Sequence, residues 1–139
     1  VAKGLIIMTP TAFAITYPIR PSAMIPGLIP VDVVTTDSRH YVRDACMVEA
    51  LHELDPMVAE LLDYHEWSLC TKEGYDRACS FHTGATPTVY INGKKLFENI
   101  VPTVGQLYEA LLREARTQPQ KKAINDAWSH AEHVYAEAA

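Results

Sequence analysis

Residues 84–97 read Gly84-Ala85-Thr86-Pro87-Thr88-Val89-Tyr90-Ile91-Asn92-Gly93-Lys94-Lys95-Leu96-Phe97. In physical terms this is a proline corner, a short strand, a two-residue turn and a second strand. Asn92-Gly93 is the strongest short-range hairpin signal, because a type I′ turn needs positive φ at both central residues. Val89, Tyr90 and Ile91 have the β-branched or aromatic shape that suits a strand. Gly84 and Pro87 punctuate the entry, and an X-Pro bond is the one peptide bond that tolerates the cis form at small cost.

Working outward, Thr103-Val104-Gly105-Gln106 fits a capping box, and Val104, Leu107, Leu111 and Leu112 would lay the following helix on a sheet. Pro119 is expected to end that helix. A last helix from about Gln120 to Ala138 carries Ile124, Ala127, Trp128, Ala131, Val134 and Tyr135 at helical spacing. Its basic residues sit near its start and Glu132 and Glu137 near its end, which opposes the helix dipole, so it depends on packing.

On the N-terminal side, Val31, Val33 and Val34 predict a strand over Ile29–Thr35, leading into a helix start at Asp37-Ser38. A helix follows from roughly Arg39 to Leu54, with Val42, Ala45, Cys46 and Ala50 as its apolar stripe. Asp55-Pro56 restarts a helix that would bury Met57, Val58, Leu61 and Leu62. A short helix over Lys72–Phe81, interrupted by Gly74, stops at Gly84.

Residues 1–30 differ from the rest. Between Gly4 and Pro30 the only charged side chain is Arg20, while Pro10, Pro18, Pro21, Pro26 and Pro30 recur. That proline spacing excludes a continuous membrane-spanning helix. Gly4-Leu5-Ile6-Ile7-Met8 could be a buried strand, and Ala12 to Met24 reads as an extended apolar arm. The arm packs either on its own domain or against another protein, since free loops are seldom this apolar. In the second case Ile6, Phe13, Tyr17, Ile19 and Met24, with Trp128 and Tyr135 of the last helix, are the expected partner contacts.

The chain of 139 residues is expected to form one domain with its own hydrophobic core. Its parts are an N-terminal strand and arm over 1–30, a core over 28–116 and a C-terminal helix over 120–139. A net charge of −5 argues against a nucleic-acid footprint. Val1 in place of a methionine reads as a processed or trimmed product, and no signal or transit segment is visible. No repeat or low-complexity tract stands out.

The Gly-x-Thr-Pro-Thr segment, followed by a strand and an Asn-Gly-Lys turn, resembles the cis-proline hairpin of the thioredoxin superfamily, especially its DsbA-like and glutaredoxin-like branches. The resemblance is close over about fifteen residues and looser, as an order of elements, over 28–115. It implies an α/β thioredoxin-like fold, with a helical insertion before the proline as in the DsbA-like branch, plus the Pro-rich arm and the extra C-terminal helix. It also implies that Thr86 and Pro87 line a substrate groove. The family's chemistry resides in a Cys-x-x-Cys pair after the first strand, at a helix N-terminus that lowers the thiol pKa. With Gly4–Met8 as that strand, the corresponding stretch is Met8-Thr9-Pro10-Thr11-Ala12-Phe13. It holds no cysteine, and no Cys-x-x-Cys occurs anywhere in the chain. The nucleophilic and resolving thiols are both missing from the expected place.

The three cysteines leave at least one thiol free. Cys70 and Cys79 could close a disulfide or stay reduced. With His65 and His82 they form His-x4-Cys-x8-Cys-x2-His, which matches no common zinc pattern. Cys46 reads as core. His130 and His133 share a helix face and read as solvated, as do Asp44, Glu49, Glu53, Glu60 and Asp63. No phosphate loop or Ser-His-Asp set stands out, and nothing calls for a cofactor. Two functions fit: a redox-inactive subunit that binds other proteins in a larger assembly, or an atypical thiol oxidoreductase using Cys70, Cys79 or both. A mitochondrial setting enters only by analogy with organellar complexes that recruit such domains.

Overall fold

A computed structural model describes residues 27–138, with side chains as far as residue 132. The fold is α/β. Its elements are β1 (Ile29–Thr35), α1 (Val42–His52), α2 (Pro56–Ala59), β2 (Leu62–Ser68), α3 (Lys72–Phe81), β3 (Thr88–Ile91), β4 (Lys94–Glu98), α4 (Val104–Glu114) and α5 (Gln118–Ala138). The four strands form one sheet in the order β2-β1-β3-β4. β1 runs parallel to β2 and antiparallel to β3, and β3 is antiparallel to β4.

β1 is one of the two inner strands, and all seven of its residues are buried. A near-continuous apolar run is what a strand covered on both faces requires. One face carries Ile29, Val31 and Val33 into a cluster with Met47 and Leu51 of α1, Leu107 and Leu111 of α4, and Ile124 of α5. The opposite face packs against α3. There Phe81 stacks on Tyr90 at 4.1 Å between centroids, and Trp67 donates from Nε1 to Asp32 Oδ1 at 2.8 Å.

Local signals explain the boundaries. Asn92 and Gly93 take φ of 55° and 80°, the pair a tight hairpin needs. The Thr103 hydroxyl accepts from Gln106 N while the Gln106 side chain accepts from Thr103 N, which completes the capping box. α3 starts at Thr71, whose hydroxyl accepts from Gly74 N, and ends at His82 in the left-handed region. At α5, Gln120 Oε1 accepts from Arg116 N and Thr117 N, and Gln120 Nε2 donates to Gly27 O at 2.8 Å. This bond fastens the start of β1 to α5.

Several expectations are corrected. The helix restarting at Asp55-Pro56 is only four residues long, leaving Met57 exposed, and Leu62 opens a strand instead. Leu62–Ser68 is held as a strand by pairing with β1, a tertiary effect that overrides local spacing. The apolar stripe of α1 is also different. Val42 and Cys46 are exposed, and the buried positions are Asp44, Met47 and Leu51. Gly74 does not interrupt α3. A Cβ there would meet the backbone C and N of Ser68, both at 2.6 Å, so glycine permits α3 to lie on the end of β2. Pro119 belongs to the first turn of α5, where a missing N–H costs nothing. The proposed strand Gly4–Met8, the stretch Met8–Phe13 and the arm Ala12–Met24 lie outside the described residues.

Candidate functional site

The end of β1 feeds a loop, residues 36–41, before α1 begins at Val42. Polar contacts hold this loop. Asp44 is 2% exposed, and its Oδ2 accepts from Thr36 N at 2.7 Å and Asp37 N at 3.1 Å. A buried carboxylate is stable here because it takes two backbone donors that would otherwise be orphaned. From the other side, Ser68 Oγ donates to Thr36 O at 2.8 Å.

This loop faces the proline corner. The Thr86-Pro87 bond is cis, and Thr86 Oγ1 lies 2.8 Å from Thr36 Oγ1. Pro87 O accepts from Asn99 N at 2.7 Å. Arg43 then donates to Asn99 Oδ1 at 2.7 Å, tying the start of α1 to the segment after β4. Val42 and Ile100 are the sequence neighbours of this bonded pair, on the two segments that form the rim beside Thr86-Pro87. Val42 is 79% exposed, Ile100 59% and the adjoining Tyr41 55%. Exposed apolar side chains on both segments joined by the Arg43–Asn99 bond suit an interaction surface.

Beyond the rim, Asp37, Ser38, Arg39, Glu66, Ser68, Cys70 and Thr71 line a cleft of about 530 Å³. Asp37 accepts from Arg39 N, Nε and Nη2, and His40 lies 3.7 Å from the same carboxylate. Hydrogen bonding from the Arg39 side chain holds the Asp37 carboxyl below its ordinary value, and the same contact raises Arg39. The guanidinium is therefore already answered by a carboxylate. The cleft offers hydroxyls, a thiol, the Asp37–Arg39 pair and the Glu66 carboxylate, whose Oε2 accepts from Thr35 Oγ1 at 3.0 Å.

The remaining expected site residues fall as follows. Cys46, Cys70 and Cys79 are free thiols and exposed, so Cys46 is not core and Cys70 and Cys79 form no disulfide. Most of α3 lies between them, and Lys72 to Cys79 alone rises about 10 Å at 1.5 Å per residue, too far for a bridge. The set His65, Cys70, Cys79 and His82 is not brought together, and no metal-binding cluster occurs among the described residues. His65 instead bonds Asp63 Oδ1 at 3.0 Å and stacks on Trp67. Asp63 is on a strand, and neither it nor Asp44 is a solvated helix residue. Trp128 is half-buried and stacks on Tyr108 at 6.3 Å, so it is spent largely on its own domain. Ile6, Phe13, Tyr17, Ile19 and Met24 lie outside the described residues, as does the Tyr135 side chain.

Sequence reading missed Tyr41, Val42, Ile100 and Asp44. Val42 and Asp44 carried a signal that pointed the wrong way, since helical spacing put Val42 inside and Asp44 outside. No helix among the described residues is long and apolar enough to cross a membrane. The chain matches no protein-family model, no curated protein and no solved structure.

Proposed function

We propose that this chain is a thioredoxin-like module without redox catalysis, and that it binds another protein, as a subunit of a larger assembly, through the rim around Thr86-Pro87. The strand order β2-β1-β3-β4, with β1 parallel to β2 and a cis proline entering β3, supports the thioredoxin-like reading. The observation that carries the functional reading is the content of the loop that meets the proline. With β1, in place of Gly4–Met8, taken as the family's first strand, the resemblance puts the redox cysteines in this loop between that strand and its helix, not in Met8–Phe13. Here the segment from Thr36 to Val42 is Thr-Asp-Ser-Arg-His-Tyr-Val, with no thiol. What it offers is exposed apolar area, which suits association.

A second reading rests on Cys70. Its thiol shares the cleft with Asp37, Ser38 and Arg39, so a single-thiol oxidoreductase using Cys70 with an external thiol is the competitor. Cys79, at the far end of α3, takes no part in either reading.

The test is disulfide-reduction turnover of the wild-type chain and of Cys70→Ser, beside the native mass of Val42→Asp and Ile100→Asp. The subunit reading expects no turnover above background and loss of the partner in both rim variants. Turnover that disappears in Cys70→Ser, with rim variants behaving as wild type, would establish the competitor instead.

A further inference from the structure

The Asn92-Gly93 turn joins more than the two strands of its hairpin. Asn92 and Gly93 take φ of 55° and 80° between β3 and β4, and Ile91 pairs with Lys94 across them. Asn92 also makes two longer reaches. Its N–H donates to Pro30 O of β1 at 2.9 Å, and its side-chain Nδ2 donates to Glu114 O at 2.8 Å. Glu114 is the last residue of α4, so its carbonyl is one that a helix end leaves without an internal partner. One asparagine thus fastens the hairpin to both β1 and α4. The turn alone does not require it, because glycine or aspartate adopts the same conformation. Neither glycine nor an ionised aspartate has a side-chain donor for Glu114 O.

The same pair is chemically reactive. Gly93 has no side chain to shield its backbone nitrogen. Once deprotonated, that nitrogen attacks Asn92 Cγ and forms the new C–N bond of a succinimide ring. The Cγ–Nδ2 bond breaks, and Nδ2 leaves as ammonia with a proton from water. Water then opens the ring at either carbonyl, giving aspartate or isoaspartate. The sum is amide plus water to acid plus ammonia, with no transfer of electrons. Ring closure needs the Asn92 backbone to rotate out of the turn and Nδ2 to leave Glu114 O, so the folded hairpin holds the reaction back.

We propose that Asn92 is a modification site gated by the hairpin: it converts to aspartate or isoaspartate when the turn opens, and the product no longer binds α4. The new carboxylate would face Glu114 O, acceptor against acceptor. The adjacent cation, Lys94, already pairs with Glu114 Oε2 at 3.4 Å. Asn92 Oδ1 is buried and finds no hydrogen-bond partner among the described residues, so no donor waits there to steady a charge. Isoaspartate also lengthens the main chain by one carbon inside the turn, which breaks the Ile91–Lys94 pairing. The site stands independently of the function proposed above.

Peptide mapping by mass spectrometry of the full chain, folded and in urea, tests the gate. Asn99 and Asn125, followed by Ile100 and Asp126, are the other asparagines of the chain and serve as internal controls. In urea Asn92 should convert faster than either by about tenfold or more, since only it precedes a residue without a side chain. The folded chain should convert about a hundredfold more slowly than the unfolded one, in step with the opening read by hydrogen exchange of the Asn92 amide. Urea unfolding of Asn92→Asp and Asn92→Gly tests the consequence. Asn92→Asp should have a lower midpoint than wild type at neutral pH and recover below about pH 4, where a protonated carboxyl donates to Glu114 O as the amide does. Asn92→Gly has nothing to titrate and should keep one deficit throughout. Conversion in urea no faster at Asn92 than at the two controls would overturn the proposal. So would equal rates folded and unfolded, or no conversion of the folded chain over the time that its measured opening predicts. An Asn92→Asp variant as stable as wild type at neutral pH would overturn it as well, because the product would then still hold α4.

Discussion

Replacing Gly74 by alanine sets two effects of opposite sign against each other. In an exposed helix interior the change is favourable by about 1 kcal/mol, because alanine loses less backbone entropy. Here the new Cβ would run into the carbonyl O of Ser68 and stand 2.6 Å from its backbone C and N. Ordinary contacts begin near 3.4 Å, so α3 would have to withdraw from β2 by more than an ångström. The obstacle is main chain on both sides, so no side-chain rotation relieves it. Overpacking of this kind costs about 1–3 kcal/mol, and a backbone clash belongs at the upper end. The expected balance is a net loss of about 2 kcal/mol, a fall of roughly 6 °C in Tm for a domain of this size. Gly105→Ala is the matched control. It also lies in the first turn of a helix, but its nearest contact is Thr103 Oγ1 at 4.0 Å, so it should stabilise by about 0.5 kcal/mol. Thermal and urea unfolding of the two variants decides the matter. Because Thr71 and Cys70 lead into α3, Gly74→Ala should also change the alkylation rate of Cys70. If both substitutions stabilise, the close approach of α3 to β2 is wrong.

Three further outcomes are expected. Asp44→Ala leaves the amides of Thr36 and Asp37 without their acceptor and should cost about 2–4 kcal/mol in urea unfolding; a loss under 1 kcal/mol would mean the loop is not held this way. Burial lifts the Tyr64 phenol well above its ordinary 10.0, so the unfolded chain releases that proton first and stability falls as pH rises past about 10. Tyr64→Phe should shrink that alkaline fall and, by removing an unbonded hydroxyl, leave neutral-pH stability equal or higher; a steeper alkaline limb would refute the burial argument. The Asp37 carboxyl, held down by Arg39, contributes only while ionised, so its contribution is present above about pH 4 and disappears as the pH drops below its folded value. Asp37→Asn should therefore flatten the acid limb below pH 4 in unfolding curves, and an unchanged limb would count against the pair.

Much of the scaffold is legible where a local group dictates a local conformation. Asn92-Gly93 supplies positive φ, Thr103 and Gln106 satisfy each other's amides, and the valines of β1 demand burial on both faces. β2 escapes such reading because Leu61 and Leu62 stand at helical spacing from Met57 and Val58, while Asp63, His65 and Glu66 dilute any strand pattern. Only pairing with β1 makes it a strand, and that partner is distant in sequence. The site was legible at Thr86-Pro87, whose corner is local. Its other wall was not. Asp44 is inside because two amides of the preceding loop need it, and Val42 is outside because Arg43 is tied to Asn99, a contact spanning fifty-six positions. Hydrophobic spacing carries no record of either bond.

The claim that this chain is a binding subunit is tested most directly by the native mass of the protein isolated from its source, wild type beside Val42→Asp. Val42 is 79% exposed, so the substitution should leave folding untouched while placing a charge at the rim. The account predicts a stable complex well above 15.5 kDa for the wild type and release of the 15.5 kDa chain in the variant. A wild-type chain that sediments as a clean monomer, or a complex indifferent to Val42→Asp, would contradict it.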